Sequence, residues 1–168
     1  MGDLKKKGQL DLSFGLIFSV ILIIAFFGFA IYAIIKFLGM KDKIDTERFL
    51  EDLQIDVDKL WKSGGHGTVN PSYFLPTKIK EVCFINLNSP KKGTRIGIYD
   101  ELKDWSGENS NLVFYPIGSS KSSNYAMIEN INTENLAENP LCFKNNNGRI
   151  NITLEQETGG TALVNVIK

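Results

Sequence analysis

The side chains able to do chemistry are few and scattered along the chain. The single histidine, His66, lies in Ser-Gly-Gly-His-Gly. Alone it cannot build a multi-histidine metal site, and no serine or cysteine nucleophile motif accompanies it as a base, so it reads as a loop residue. Lys91, Lys92, Gly93, Thr94 and Arg95 have the composition of a phosphate binder. They lack the P-loop spacing and the helix that should follow, and read as a basic turn between strands. Lys121, among Ser119, Ser120, Ser122 and Ser123, is without the spacing of a serine–lysine acyl enzyme. Glu47, Glu51, Asp52, Asp56 and Asp58 recur along one predicted helix, where a solvated face explains them. Calcium would need three or four oxygen ligands, usually on a loop with glycine, and no such loop is present in the sequence. The expectation is a protein with no catalytic residue, no cofactor and no metal. A hydrolase assembled from scattered carboxylates ranks behind every non-enzymatic reading.

Two other kinds of residue carry covalent chemistry. Cys83 and Cys142 are the two cysteines, each followed by Phe and each within a strand-like segment. In an oxidising compartment they are expected to pair, closing a loop of about 60 residues worth roughly 4 kcal/mol in the chain-entropy model. The alternative is two buried free thiols packed as small hydrophobes. With neither a CxxC pair nor a histidine cluster, a thiolate metal site is not expected. Asn151, Ile152 and Thr153 form a glycosylation acceptor on what should be the solvent face of a strand. Such triplets also arise by chance.

The element that must position everything else is an uncharged stretch from Leu12 to Ile35, preceded by Lys5, Lys6 and Lys7 and ended by Lys36. At 1.5 Å per residue its 24 residues would span roughly 36 Å as a helix, enough to cross a hydrocarbon core of about 30 Å with some tilt. Phe14, Leu16, Ile17, Phe18, Val20, Ile21, Leu22, Ile23, Ile24, Phe26, Phe27 and Phe29 leave no polar face, unlike a helix on a soluble core. A cleaved secretory signal would have a shorter apolar region, and this run continues past the small residues Gly28 and Ala30. An uncleaved membrane anchor is expected, with lipid as its first partner. Gly15 and Ser19 have the small-xxx-small spacing through which another helix can approach, although that spacing is common in lipid-facing helices.

Lys and Arg counts on the two sides of the span are nearly balanced. The clustered basic tail resembles a signal-type start and the remainder reads as an exported domain, so the N-terminus is expected in the cytoplasm and the rest outside the cell membrane. Residues 1–43 carry six Lys against three Asp, and residues 44–168 carry 13 Lys plus Arg against 16 Asp plus Glu. The second region is therefore acidic overall, which argues against nucleic acid as a partner.

The expected organisation is a basic cytoplasmic leader over 1–11, a transmembrane helix over 12–38, a juxtamembrane amphipathic helix over 39–65 and a β-rich head over 66–168. Leu50, Leu53, Val57, Leu60 and Trp61 fall on one face of the amphipathic helix. Asp45 or Thr46 is expected to cap its start, and Ser63, Gly64 and Gly65 to end it. Strands are expected over Lys80 to Leu87, Arg95 to Tyr99, Leu112 to Ile117, Tyr125 to Ile128, Leu141 to Lys144, Arg149 to Glu155 and Ala162 to Ile167. Loops are expected over 64–71, 104–111 and 118–124, with 130–140 a loop or a short helix. Turns are expected at Asn145 to Gly148 and at Gly159 with Gly160. Ile150, Ile152 and Leu154 alternate with Asn151, Thr153 and Glu155, the pattern of a strand that buries one face. The fold class is α+β, with the amphipathic helix packed on a mainly antiparallel sheet.

Lys6, Lys7, Gly8 and Gln9, followed by Leu10, Asp11, Leu12, Ser13, Phe14 and the apolar run, resemble the start of archaeal type IV pilin-like proteins with class III signal peptides. The start is also similar to that of small archaeal membrane proteins beginning with Lys-Lys-Gly-Gln, a likeness that implies no activity. The pilin resemblance covers about the first 35 residues. It implies cleavage by a prepilin-type peptidase between Gly8 and Gln9, leaving the apolar helix attached. The family places Ser two residues and Glu four residues after that Gln, where this chain has Asp11 and Ser13. That Glu is associated with docking into the growing filament, so the resemblance bears on membrane insertion more directly than on assembly. The function it implies is surface assembly with like subunits or adhesion through a pilin-like head. The alternative is an anchored binding or accessory subunit of an envelope complex that does not polymerise.

Overall fold

In the computed structural model, which describes residues 14–64, 67–156 and 163–168, a long N-terminal apolar helix is followed by a mainly antiparallel β region, an α+β architecture. The chain divides into two compact units, Met1–Leu38 and Gly39–Lys168.

The first unit holds the N-terminal part of helix α1, which runs over Phe14–Ser63. Its large apolar side chains are exposed all round, Phe14 at 84%, Phe26 at 69% and Phe29 at 70%. From Phe14 to Leu38 the helix rises about 37 Å, the length needed to cross a hydrocarbon core. The hydroxyl of Ser19 donates to the Gly15 carbonyl at 2.7 Å, so this polar group is satisfied within the helix itself.

In the second unit, α1 buries Thr46, Phe49, Leu53, Val57 and Leu60. Spacings of three and four residues place them on one face. This differs from the expected stripe in two members: Phe49 is buried instead of Leu50, which is half-buried, and Trp61 is 39% exposed. The expected cap at Asp45 or Thr46 is also corrected, because no helix begins there. Thr46 lies inside α1 and its hydroxyl donates to the Asp42 carbonyl at 2.9 Å. Gly39 alone weakens a helix by only about 1 kcal/mol relative to Ala, too little to end one without a proline or a turn sequence. The C-terminus of α1 does lie where glycine permits it. Ser63 Oγ donates to the Leu60 carbonyl at 2.7 Å, and Gly64 follows at φ 63°, the left-handed conformation that closes many helices.

After α1 come β1 (Gly67–Val69), β2 (Ser72–Phe74) and β3 (Glu81–Phe84), then a 3-10 turn over Ile96–Ile98 that leads into α2 (Tyr99–Trp105). The remaining strands are β4 (Leu112–Tyr115), β5 (Tyr125–Ala126), β6 (Ile131–Asn132), β7 (Leu141–Lys144), β8 (Arg149–Asn151), β9 (Thr153–Gln156) and β10 (Val164–Ile167). Among the described residues they form three sheets, ordered β1-β9-β10-β6, β2-β8 and β5-β4-β3-β7. Among the described residues only the β10–β6 pair is parallel. The segment expected as a strand over Arg95 to Tyr99 is helical, β1 lies in the segment expected as a loop over 64–71 and β6 in the loop or short helix expected over 130–140, while β2 falls just after the expected loop, where no strand is expected. The expected strand over Arg149 to Glu155 is divided at Ile152, whose N–H donates to the Pro71 carbonyl at 3.3 Å. Its two halves belong to different sheets. The expected turn at Gly159 and Gly160 lies outside the described residues.

The sheet β5-β4-β3-β7 explains why so much of the unit is buried. One face, with Val82, Phe84, Leu112, Phe114, Leu141 and Phe143, belongs to the main core with Phe49, Leu53, Val57 and Leu60 of α1. The other face, with Cys83, Val113 and Cys142, packs with Ile85 and with Tyr99 and Leu102 of α2. Strands covered on both sides bury consecutive residues, so β3 has no exposed position at all.

Candidate functional site

Cys83 and Cys142 lie directly opposite one another in the β3–β7 ladder and are joined by a disulfide, S–S 2.09 Å, at a sequence separation of 59. Both are buried. Antiparallel strands set opposed residues close enough for the bond without help from loops. Glu81, two residues before Cys83 on the same face of β3, lies with its carboxylate and the two sulfurs within 4.8 Å of one another. While the sulfurs are bonded to each other they offer no thiolate, so the trio is not a metal centre in this state.

Glu81 and Cys142 instead form part of the wall of a cavity of about 790 Å³. Its other walls come from separate parts of the chain: Ser72 on β2, Thr94 and Arg95 before the 3-10 turn, Phe143 and Lys144 on β7, Asn146 in the following turn, and Arg149 and Asn151 on β8, with Lys168 beside them. Among the described residues, four cations therefore meet one carboxylate. That carboxylate is itself engaged: Arg95 Nη2 donates to Glu81 Oε2, and Glu81 is only 7% exposed. Lys144 stands opposite Glu81 in the β3–β7 ladder and is exposed. The Arg149 guanidinium sits over the Phe74 ring, 4.6 Å from its centroid, so among the described residues the fork is held by stacking and not by an acid.

The loop that delivers Thr94 and Arg95 is pinned by a buried asparagine. Asn139, 1% exposed, accepts from the Asn86 N–H at 3.0 Å and donates from Nδ2 to the carbonyls of Asn86 at 2.9 Å and Ser89 at 3.1 Å. Its backbone exchanges two further bonds with Lys92, at 3.0 and 2.9 Å. A carboxamide can satisfy donors and acceptors together, which lets it replace the strand pairing that this loop lacks. Next to it, Glu138 accepts from the hydroxyl and the N–H of Thr94 at 2.8 and 3.1 Å. The Thr94 hydroxyl chiefly, then its N–H, with the positive charge of Lys168 contributing, lower the Glu138 carboxyl below its ordinary range. Gly93 has φ 95°, and a Cβ there would lie 2.5 Å from Glu138 Cγ. Both the backbone and the space require glycine.

On the other side of the cavity the expected turn at Asn145 to Gly148 is present, with Asn147 at φ 54° and Gly148 at φ 92°. Asn145 Nδ2 donates to the carbonyls of Pro76 and Ile79 at 3.0 and 2.8 Å, and its Oδ1 accepts from the Gly148 N–H at 2.8 Å. This fixes the turn between Lys144 and Arg149. The turn joins strands of two different sheets, β7 and β8, so the residues flanking it open onto the cavity between them.

Of the residues singled out from sequence, Cys83 and Cys142 are adjacent, and Asn151 is exposed on β8 at the same cavity. The processing pair Gly8 and Gln9, and also His66, lie outside the described residues. The structure also brings together Arg95, Lys144 and Arg149. Arg95 closes the basic run that reads as a simple turn, and the other two bracket the Asn145–Gly148 turn, but nothing in their spacing joins them. In comparisons with family models, with curated proteins and with solved structures, the chain matches none.

Proposed function

We propose that the chain is a non-enzymatic, single-span membrane protein with its N-terminus in the cytoplasm and its second unit outside, a pilin-like head acting in adhesion or in assembly with like subunits. The observation that carries this reading is the exposure of the first unit. From Phe14 to Leu38 the helix presents Phe, Ile and Leu on every side, with none of its most apolar window buried among the described residues. In water such a surface would associate or aggregate; hydrocarbon or the packed helices of an assembly would cover it. The second unit supports the reading differently. Its disulfide suits an oxidising exterior, since cytosolic thiols are kept reduced. The start Lys6-Lys7-Gly8-Gln9 supports processing of the pilin type, and the accessory-subunit alternative shares every feature except polymerisation.

Fractionation of intact cells tests the anchor and its direction together. The protein should stay in the membrane through alkaline carbonate extraction, and protease added outside should digest residues 39–168 while the cells remain closed. Release by carbonate, or protection of the head, would overturn the reading.

A further inference from the structure

We propose that the cavity between β7 and β8 binds a carboxylated oligosaccharide, through Arg95, Lys144 and Arg149 for the carboxylates and Ser72, Asn146 and Asn151 for the hydroxyls. This names the ligand class of the head's adhesive role and rests on that reading for its biological sense.

The volume comes first. A cavity of about 790 Å³ lies within the range of roughly 300–1,000 Å³ in which small ligands are bound. Charge comes second. Residues 44–168 carry an excess of acid, yet among the described residues this cavity gathers Arg95, Lys144, Arg149 and Lys168 against Glu81. A cationic hollow on an acidic surface attracts anions locally while the remainder of the domain repels them.

The state of the cations narrows the choice further. Lys144 and Arg149 are exposed, and Arg149 is stacked on Phe74, so its five donors are preorganised for a planar carboxylate. Arg95 is held by Glu81 through Nη2, while its buried Nε has no hydrogen-bond partner among the described residues. A buried donor of that kind costs free energy until an acceptor reaches it. Glu81 in the wall disfavours a dense polyanion such as phosphate and tolerates a singly charged group. The neutral lining is mostly hydroxyl and carboxamide, from Ser72, Thr94, Asn146 and Asn151, completed by Cys142 and Phe143. Such a lining matches sugar hydroxyls better than the side chains of an acidic peptide.

Titration calorimetry on the full chain in detergent tests this with an oligogalacturonate. The comparison ligands are a neutral galactose oligomer of the same length, a polyglutamate peptide and inorganic phosphate. The oligogalacturonate should bind, and should bind more weakly as salt rises. Arg149→Gln and Lys144→Gln should each weaken it roughly tenfold, about 1.4 kcal/mol. Lys121→Gln, at a position that does not line the cavity, should leave it unchanged. The two test positions lie on different strands and are exposed, and an unchanged denaturation midpoint in either variant shows that the fold is kept. Absence of binding, equal binding of the neutral oligomer, tighter binding of peptide or phosphate, or wild-type affinity in both variants would overturn the proposal. Because dispersed protein is used, failure here leaves the anchor and its processing standing, and failure of those leaves a positive titration standing.

Discussion

Replacing Phe49 with alanine should lower the stability of the second unit by about 3–5 kcal/mol, the range for deleting a buried aromatic ring. Phe49 is 1% exposed and meets two rings edge-on, Tyr73 with centroids 5.5 Å apart and Phe114 at 5.9 Å. It thus ties α1 to β2 and to β4 at once, and its removal leaves a cavity between elements that are distant in sequence. Tyr73 cannot readily move into that space. Its hydroxyl donates to Asp56 at 3.1 Å, and burial, reinforced by the Asp56 charge, raises its pKa above the ordinary phenol range. Ile55, 42% exposed on the same helix, serves as the control, and its change to alanine should stay within about 0.5 kcal/mol. Urea denaturation of the full chain in detergent, followed by the fluorescence of Trp61 and Trp105, measures both. A loss below 1 kcal/mol for Phe49→Ala would mean that α1 contributes little to the core.

The second large effect is expected from the disulfide. Changing Cys83 and Cys142 together to alanine should destabilise the unit by about 4 kcal/mol, since the bond closes a loop between residues at a sequence separation of 59 and restricts the unfolded chain accordingly. Alanine keeps the site apolar beside Ile85, Leu102 and Val113, so the packing loss should be small beside the loss of the crosslink. The same denaturation assay reads the effect, and dithiothreitol on the unsubstituted protein should move the midpoint the same way. An unchanged midpoint in the double variant would show that the ladder between β3 and β7 holds without the bond. Two free thiols in protein isolated under native conditions would count against an oxidising exterior.

How much of this was legible in the sequence depends on the range of the interaction. The apolar run after Leu12 declares itself because its signal is purely local. The alternation of Ile150, Ile152 and Leu154 likewise marks three buried positions, and all three are buried. Local pattern fails where one residue changes the outcome. Leu50 and Phe49 both fit a three-and-four spacing with Leu53, Val57 and Leu60, and only the rotation of α1 against the sheet selects Phe49. It fails again at Ile96 and Ile98, β-branched residues that read as strand but form the turn leading into α2. There the spacing of Tyr99 and Leu102, with Asp100 and Glu101 in the first turn, was the available sign of a helix. The cavity was illegible for a different reason. Ser72, Glu81, Arg95, Lys144 and Arg149 come from four stretches of chain, and they meet because the chain passes from one sheet to another between β7 and β8, which no periodicity encodes.

The reading as a whole depends on what happens at the amino terminus, and mass analysis of the chain recovered from the membrane fraction tests it most directly. The account predicts a mature protein that begins at Gln9 and keeps the apolar helix. A chain still starting at Met1 would remove the pilin-type processing, and a chain starting beyond Ala30 would remove the anchor as well.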